Sequence, residues 1–156
     1  PDRHVALAED YKRRFQRMRA DGTLAHEPLF EGIPAVLETL AEAGWLLGVA
    51  TGKSDRGLAF VLNDHDIAHH FVTLQTADRH PSKPHPAMLA AAIAEAGAGP
   101  ETTVMIGDTS YDILMALNGG TRAVGVAWGY HPPEELAAAG AHVVATRVLD
   151  LPGLLA

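Results

Sequence analysis

Two carboxylates, Asp108 and Asp112, stand four residues apart where an apolar run ends, in Val104-Met105-Ile106-Gly107-Asp108-Thr109-Ser110-Tyr111-Asp112. An apolar strand that delivers a carboxylate at its C-terminal end is how open α/β sheets build ligand sites. With a helix starting near Thr109, Asp108 lies at its mouth and Asp112 about one turn inside, on the same side. Such a pair is a hard-oxygen site of the kind Mg²⁺ prefers, with water and phosphate oxygens completing the shell. The same spacing also fits a capping Asp followed by a solvated helix Asp, and short motifs recur by chance.

Further chemistry lies upstream. A near-continuous apolar run over residues 45–50 reads as a strand covered on both faces. It ends in Thr51-Gly52-Lys53-Ser54, and Lys83 stands later between Ser82 and Pro84. In a parallel sheet all strand C-termini point to one edge, which collects Thr51, Asp108 and the loop carrying Lys83. There the hydroxyl and the ammonium can hold phosphoryl oxygens, while the carboxylates hold a metal that offsets developing charge. Gly52 lets backbone approach closely, and the helix beginning near Ser54 adds N–H donors for an anion. Lys53 is either a substrate contact or an exposed helix-start lysine.

The elements that must position these groups follow from periodicity. Residues 5–19 read as an amphipathic helix, with Leu7, Tyr11, Phe15 and Met18 on one stripe and a basic opposite face. That face either attracts an anionic substrate or is a solvated helix surface. Asp21-Gly22 reads as a turn, and residues 25–33 as a loop. A helix starts at Pro34 and stops at Gly44. Ser54 caps a helix carrying Leu58, Val61 and Leu62. A short strand over residues 71–74 precedes a loop over 77–86. Pro86 opens a helix that ends at Gly97. Residues 103–106 form the next strand, and a helix with Ile113, Leu114 and Leu117 stops at Asn118-Gly119-Gly120. Strands over 122–127 and 142–145 and a helical turn over 149–155 complete the chain. Strands alternating with helices imply a doubly wound parallel sheet with right-handed crossovers.

Composition sets outer limits. The 156 residues suit one domain with at most a small appendage, and 47% apolar content excludes wholesale disorder. A formal charge of −7 argues against nucleic acid or an acidic membrane as partner. With no cysteine there is no disulfide framework and no thiolate chemistry. No apolar run is long enough to span a bilayer and no signal peptide opens the chain, so a cytoplasmic setting is expected. Pro1 in place of Met leads to the expectation that the natural N-terminus is lost or processed.

Thr51 after an apolar strand, Lys83 in SKPHP, and the stretch from Gly107-Asp108 to Asp112 resemble the second, third and fourth motifs of the haloacid dehalogenase-like hydrolases. PLFEGIPAVLETLAEAG, VATGKS, KPHPAML and WGYHPPEELAAAGA are similar to the phosphoglycolate phosphatase subgroup, and the resemblance covers about residues 28–155. It implies a phosphatase of a small phosphomonoester, in which an Asp attacks the phosphoryl group and the aspartyl-phosphate is then hydrolysed. A second Asp two residues after the nucleophile acts as acid and base. Thr51 would hydrogen-bond a phosphoryl oxygen, Lys83 would neutralise nucleophile and phosphate, and Gly52 and Lys53 would border the phosphate. Asp108 would bind Mg²⁺, with Asp112 binding it or orienting its shell.

One departure stands out. The family's first motif, an apolar strand ending in Asp-x-Asp-Gly-Thr, has no match ahead of Thr51. Asp21-Gly22-Thr23-Leu24 imitates part of it, but Arg19 occupies the nucleophile position and the preceding residues are basic. Asp64-His65-Asp66 comes after Thr51, with no Gly-Thr behind it. The resemblance then implies that residues 1–26 are a remnant of the family's helical cap and residues 27–156 the α/β core. It also implies that this chain alone is inactive. Without the first strand, the Thr51 and Asp108 strands should face an unpaired gap, closed by unusual pairing or by self-association. Two rival readings remain: a non-catalytic phospho-ligand-binding or interaction module on the same fold, and a receiver-like signalling domain. A receiver needs its acidic cluster before the Thr and Lys, whereas here the acidic pair follows both. The histidine pairs His69-His70 and His80 with His85 read as surface loop residues. Trp128 and Tyr130 either wall the pocket or pack in the core.

Overall fold

The computed structural model describes residues 5–7 and 31–155. Among these residues six strands form one parallel sheet: β1 (Val5–Leu7), β2 (Leu46–Thr51), β3 (Phe71–Thr76), β4 (Thr103–Gly107), β5 (Arg122–Val126) and β6 (Val143–Ala145). Their spatial order is β3-β2-β1-β4-β5-β6. From β1 the chain moves outward to β2 and β3, then crosses back to β4 on the far side of β1 and moves outward again. The strand order therefore reverses between β1 and β4, and the crevice that such a reversal opens lies at their carboxyl ends, with the end of β2 one strand away.

Among the described residues six α-helices cover the two faces: α1 (Ile33–Glu42), α2 (Asp55–Asp64), α3 (Ala87–Ala96), α4 (Ser110–Asn118), α5 (Pro133–Ala139) and α6 (Leu151–Leu155). Local sequence explains their ends. Pro34 sits in the first turn of α1, Ser54 Oγ accepts Gly57 N at 3.0 Å to cap α2, and α3 stops at Gly97 with φ 69°. The pleat divides the strand side chains into two cores. Leu47, Val49, Val104, Ile106, Val124 and Val126 join α1, α2 and α6 on one face. Ala50, Met105 and Ala123 join α3, α4 and α5 on the other. Burial on both faces is why these strands are apolar at every position rather than at alternate ones.

The N-terminal segment corrects the sequence reading. Val5–Leu7 is a strand, not the first turn of a helix over residues 5–19; the remainder of that stretch lies outside the described residues. It fills the expected gap by pairing Leu46–Gly48 on one side and Thr103–Met105 on the other. Two facing rows of unpaired backbone groups offer Val-Ala-Leu hydrogen bonds on both edges, which outweighs a local helical stripe. The boundary that sets residues 1–26 apart from the core does not hold for these three. The other differences are smaller. β3 runs on to Thr76, and α5 was not foreseen although Pro132-Pro133-Glu134-Glu135 and Gly140 mark its two ends.

Candidate active site

The turn after β4 is built by one residue pair. Thr109 is the N-cap of α4, and its Oγ1 accepts Asp112 N at 3.2 Å. In return Asp112 Oδ2 accepts Thr109 N at 3.1 Å and the Thr109 hydroxyl at 3.0 Å, a reciprocal capping box. Asp112 Oδ1 takes Lys83 Nζ at 2.6 Å, in a pair whose side chains are 5% and 0% exposed. Both oxygens of Asp112 thus have partners within the protein. Gly107 makes this packing feasible: a Cβ there would run into the Asp112 carboxyl group.

Asp108, the first residue beyond β4, is held from the other side. Its Oδ2 accepts Tyr130 N at 2.9 Å, its carbonyl accepts His131 N at 2.9 Å, and a Cβ on Gly129 would strike it. Burial, and next the charge of Asp112, push the Asp108 carboxyl above its usual range; the Tyr130 N–H and Lys83 pull the other way. A desolvated carboxylate repelled by a second one gains from a nearby cation. Mg²⁺ commonly uses one or two carboxylates and completes its octahedron with water and phosphate oxygens. Asp108 backed by Asp112 fits that description. Among the described residues no group of three His, Cys, Asp or Glu forms a closed cage.

Across β1 lies the other half. Thr51 closes β2, fully buried, and its Oγ1 accepts Lys53 N at 3.1 Å. Lys53 is itself buried at 4% exposure rather than a solvated helix-start lysine, and Gly52 lies between the two. Two strand spacings separate β2 from β4, so the Thr51 turn and Asp108 face each other across roughly 10 Å. The loop with Lys83 is tied at three points. Ala77 N donates to Lys53 O at 3.2 Å, Asn118 Nδ2 donates to Pro84 O at 3.1 Å, and Lys83 itself reaches Asp112.

The remaining sequence candidates sort themselves by environment. His80 Nε2 meets Gln75 Oε1 at 2.8 Å and His85 Nδ1 accepts Ala87 N at 3.1 Å, so both serve local structure. Asp64-His65-Asp66 ends α2, at the opposite edge of the sheet from Thr51. Asp21 lies outside the described residues. Trp128 packs half-buried against the core with its indole N–H unpartnered, whereas Tyr130 is 52% exposed. Sequence reasoning missed Gly129 and His131, whose backbones and ring close around Asp108. The signal was the turn-forming Gly129-Tyr130-His131 directly after a strand on the active edge.

A family model described as haloacid dehalogenase-like hydrolase matches residues 2–126. The chain is 34% identical over 121 residues to a protein of Pasteurella multocida named phosphoglycolate phosphatase, covering 77% of this chain and 54% of the relative. It is 31% identical over 157 residues to a protein of Anoxybacillus flavithermus named pyrophosphatase PpaX, covering 99% and 71%. The solved structure of a hydrolase from Pseudomonas syringae superposes with a TM-score of 0.77 at 25% identity, over 93% of this chain and 65% of that one. The chain thus spans little more than half the length of some curated relatives it matches.

Proposed function

The chain belongs to the haloacid dehalogenase-like hydrolase family, and from that premise we propose that it forms the phosphate- and metal-holding part of a phosphatase acting on a small phosphomonoester such as phosphoglycolate. The observation that carries the reading is the buried Lys83–Asp112 pair set directly behind Asp108, facing Thr51 across the switch point of the sheet. In this reading Thr51 donates to a phosphoryl oxygen, and the Gly52-Lys53 backbone and Lys53 side chain border the same group. Lys83 draws the phosphate inward and is kept in place by Asp112. Asp108 holds Mg²⁺, which when bound neutralises charge on the phosphoryl oxygens. Asp112, with both oxygens occupied by Lys83 and Thr109, orients that shell instead of binding the ion directly.

The nucleophile belongs to an Asp-x-Asp segment that this 156-residue sequence does not carry ahead of Thr51. In this reading the attack that would form an aspartyl-phosphate lacks its nucleophile here, and these 156 residues alone are expected to be inert. Among the described residues no helix is long and apolar enough to cross a membrane; a cytoplasmic setting completes the reading. The test is Mg²⁺-dependent release of phosphate from p-nitrophenyl phosphate, phosphoglycolate and pyrophosphate. The 156-residue chain is compared with a protein extended to the length of the relatives. The expected outcome is an inert short chain and an extended protein that prefers a monoester. Preference for pyrophosphate would overturn the substrate class. An inert extended protein that still binds phosphate would favour a non-catalytic phospho-ligand-binding module.

A further inference from the structure

We infer that His131 is a positioning residue for Asp108, a role that rests on the reading of Asp108 as the Mg²⁺ holder. The imidazole and backbone of His131 bracket the Asp108–Ser110 turn. Its Nδ1 accepts Ser110 N at 2.9 Å, while its own N–H donates to Asp108 O at 2.9 Å. The preceding residue, Tyr130, donates its N–H to Asp108 Oδ2 at 2.9 Å.

The need for this ring follows from helix-end accounting. The first turn of a helix leaves N–H groups with no intrahelical acceptor. The capping box of Thr109 and Asp112 takes the N–H groups of residues 109 and 112. The Ser110 N–H goes to His131. Accepting it requires an unprotonated Nδ1, so the ring contributes an acceptor without a charge. A carboxylate in that place would add a third negative group beside Asp108 and Asp112. The ring is well enclosed, at 15% side-chain exposure, with Tyr111 and Tyr130 at ring-centroid distances of 5.9 and 5.4 Å and Glu135 Oε1 at 3.9 Å. Without the ring bond, the loop at 129–131 loses its anchor on α4, and the two backbone donors that fix Asp108 loosen with it. Partners one step removed from a metal commonly account for 10–100-fold in affinity.

Two substitutions break the same bond from opposite ends. His131→Ala removes the acceptor. Ser110→Pro removes the donor at a first helical position, where proline is favoured, and Thr109 at φ −126°, ψ 157° already has the extended backbone that a following proline demands. His131→Asn keeps an acceptor at the position of Nδ1. The readouts are Mg²⁺ affinity by calorimetry and, in metal-free protein, exchange of the Ser110 amide by NMR. We expect His131→Ala to speed Ser110 exchange and to weaken Mg²⁺ binding about tenfold or more. Ser110→Pro should weaken Mg²⁺ binding by a similar factor, the double variant no further, and His131→Asn should restore both readouts most of the way. Unchanged Ser110 exchange or unchanged Mg²⁺ affinity in His131→Ala would overturn the inference, as would additive losses in the double variant. Should His131→Ala not fold, Ser110→Pro, which has no amide hydrogen at 110, decides by Mg²⁺ affinity: a loss of about tenfold supports the inference and an unchanged affinity overturns it. A wild-type chain that takes up no Mg²⁺ while its Ser110 amide responds to His131→Ala would instead overturn the metal reading itself, and the inference with it.

Discussion

The loop after β3 sends two cations to two helix starts, and the outcomes differ. Arg79 reaches Asp55 in the first turn of α2, with side chains 45% and 52% exposed. Lys83 reaches Asp112 in the first turn of α4, with side chains 5% and 0% exposed. Both pairs lie at the carboxyl edge of one sheet and join similar groups. The exposed pair shares its charges with water. The Thr76 hydroxyl, and then Arg79, hold the Asp55 carboxyl below its usual range. The buried pair exchanges hydration for each other and for the Thr109 cap, and beside it Asp108 moves the opposite way. An ion pair at this edge thus defines a site only where the fold excludes water from it.

The largest expected effect tests that contrast directly. Lys83→Met leaves the Asp112 charge buried without its partner and should cost about 3–5 kcal/mol in urea unfolding. A loss under about 1 kcal/mol, the ordinary size for a surface pair, would erase the difference between the two regions. Gly107→Ala should follow, at about 1–3 kcal/mol, because the new methyl must displace the Asp112 carboxyl group.

A third substitution has the opposite sign. Between the ordinary carboxylate range and the raised value of Asp108, the folded protein keeps a proton that the unfolded chain has released. Stability therefore falls as pH rises through that window and stays lower above it. Asp108→Asn should raise the metal-free Tm near neutral pH by about 2 °C or more, with no gain at acid pH, while abolishing Mg²⁺ binding. A lowered Tm would mean that Asp108 is satisfied without a cation. The smallest effect belongs to Arg79→Ala, expected to move Tm by no more than about 2 °C, and less in high salt. The contribution of Asp55 is present above the ordinary carboxylate range and fades as pH falls through its depressed value.

Sequence legibility followed the same division. That Thr51, Asp108 and the loop carrying Lys83 share one edge of the sheet was legible because apolar strands buried on both faces end abruptly in polar residues, and parallel strands end at one edge. The capping box and the Lys83–Asp112 bond were not, since a four-residue spacing is shared by ligands, caps and solvated aspartates. β1 was misread because Val5, Ala6 and Leu7 fit a helical stripe as well as a strand, and only the two edges waiting on β2 and β4 distinguish them. The Gly129-Tyr130-His131 clasp acts mainly through backbone groups, which leave little trace in residue types.

The most direct test of the central claim is calorimetric titration of inorganic phosphate into the 156-residue chain, with and without Mg²⁺, for the wild type and Asp108→Asn. The account requires phosphate binding that depends on Mg²⁺ and is lost in Asp108→Asn. Phosphate binding indifferent to both the ion and the substitution, or none in the wild type, would contradict it.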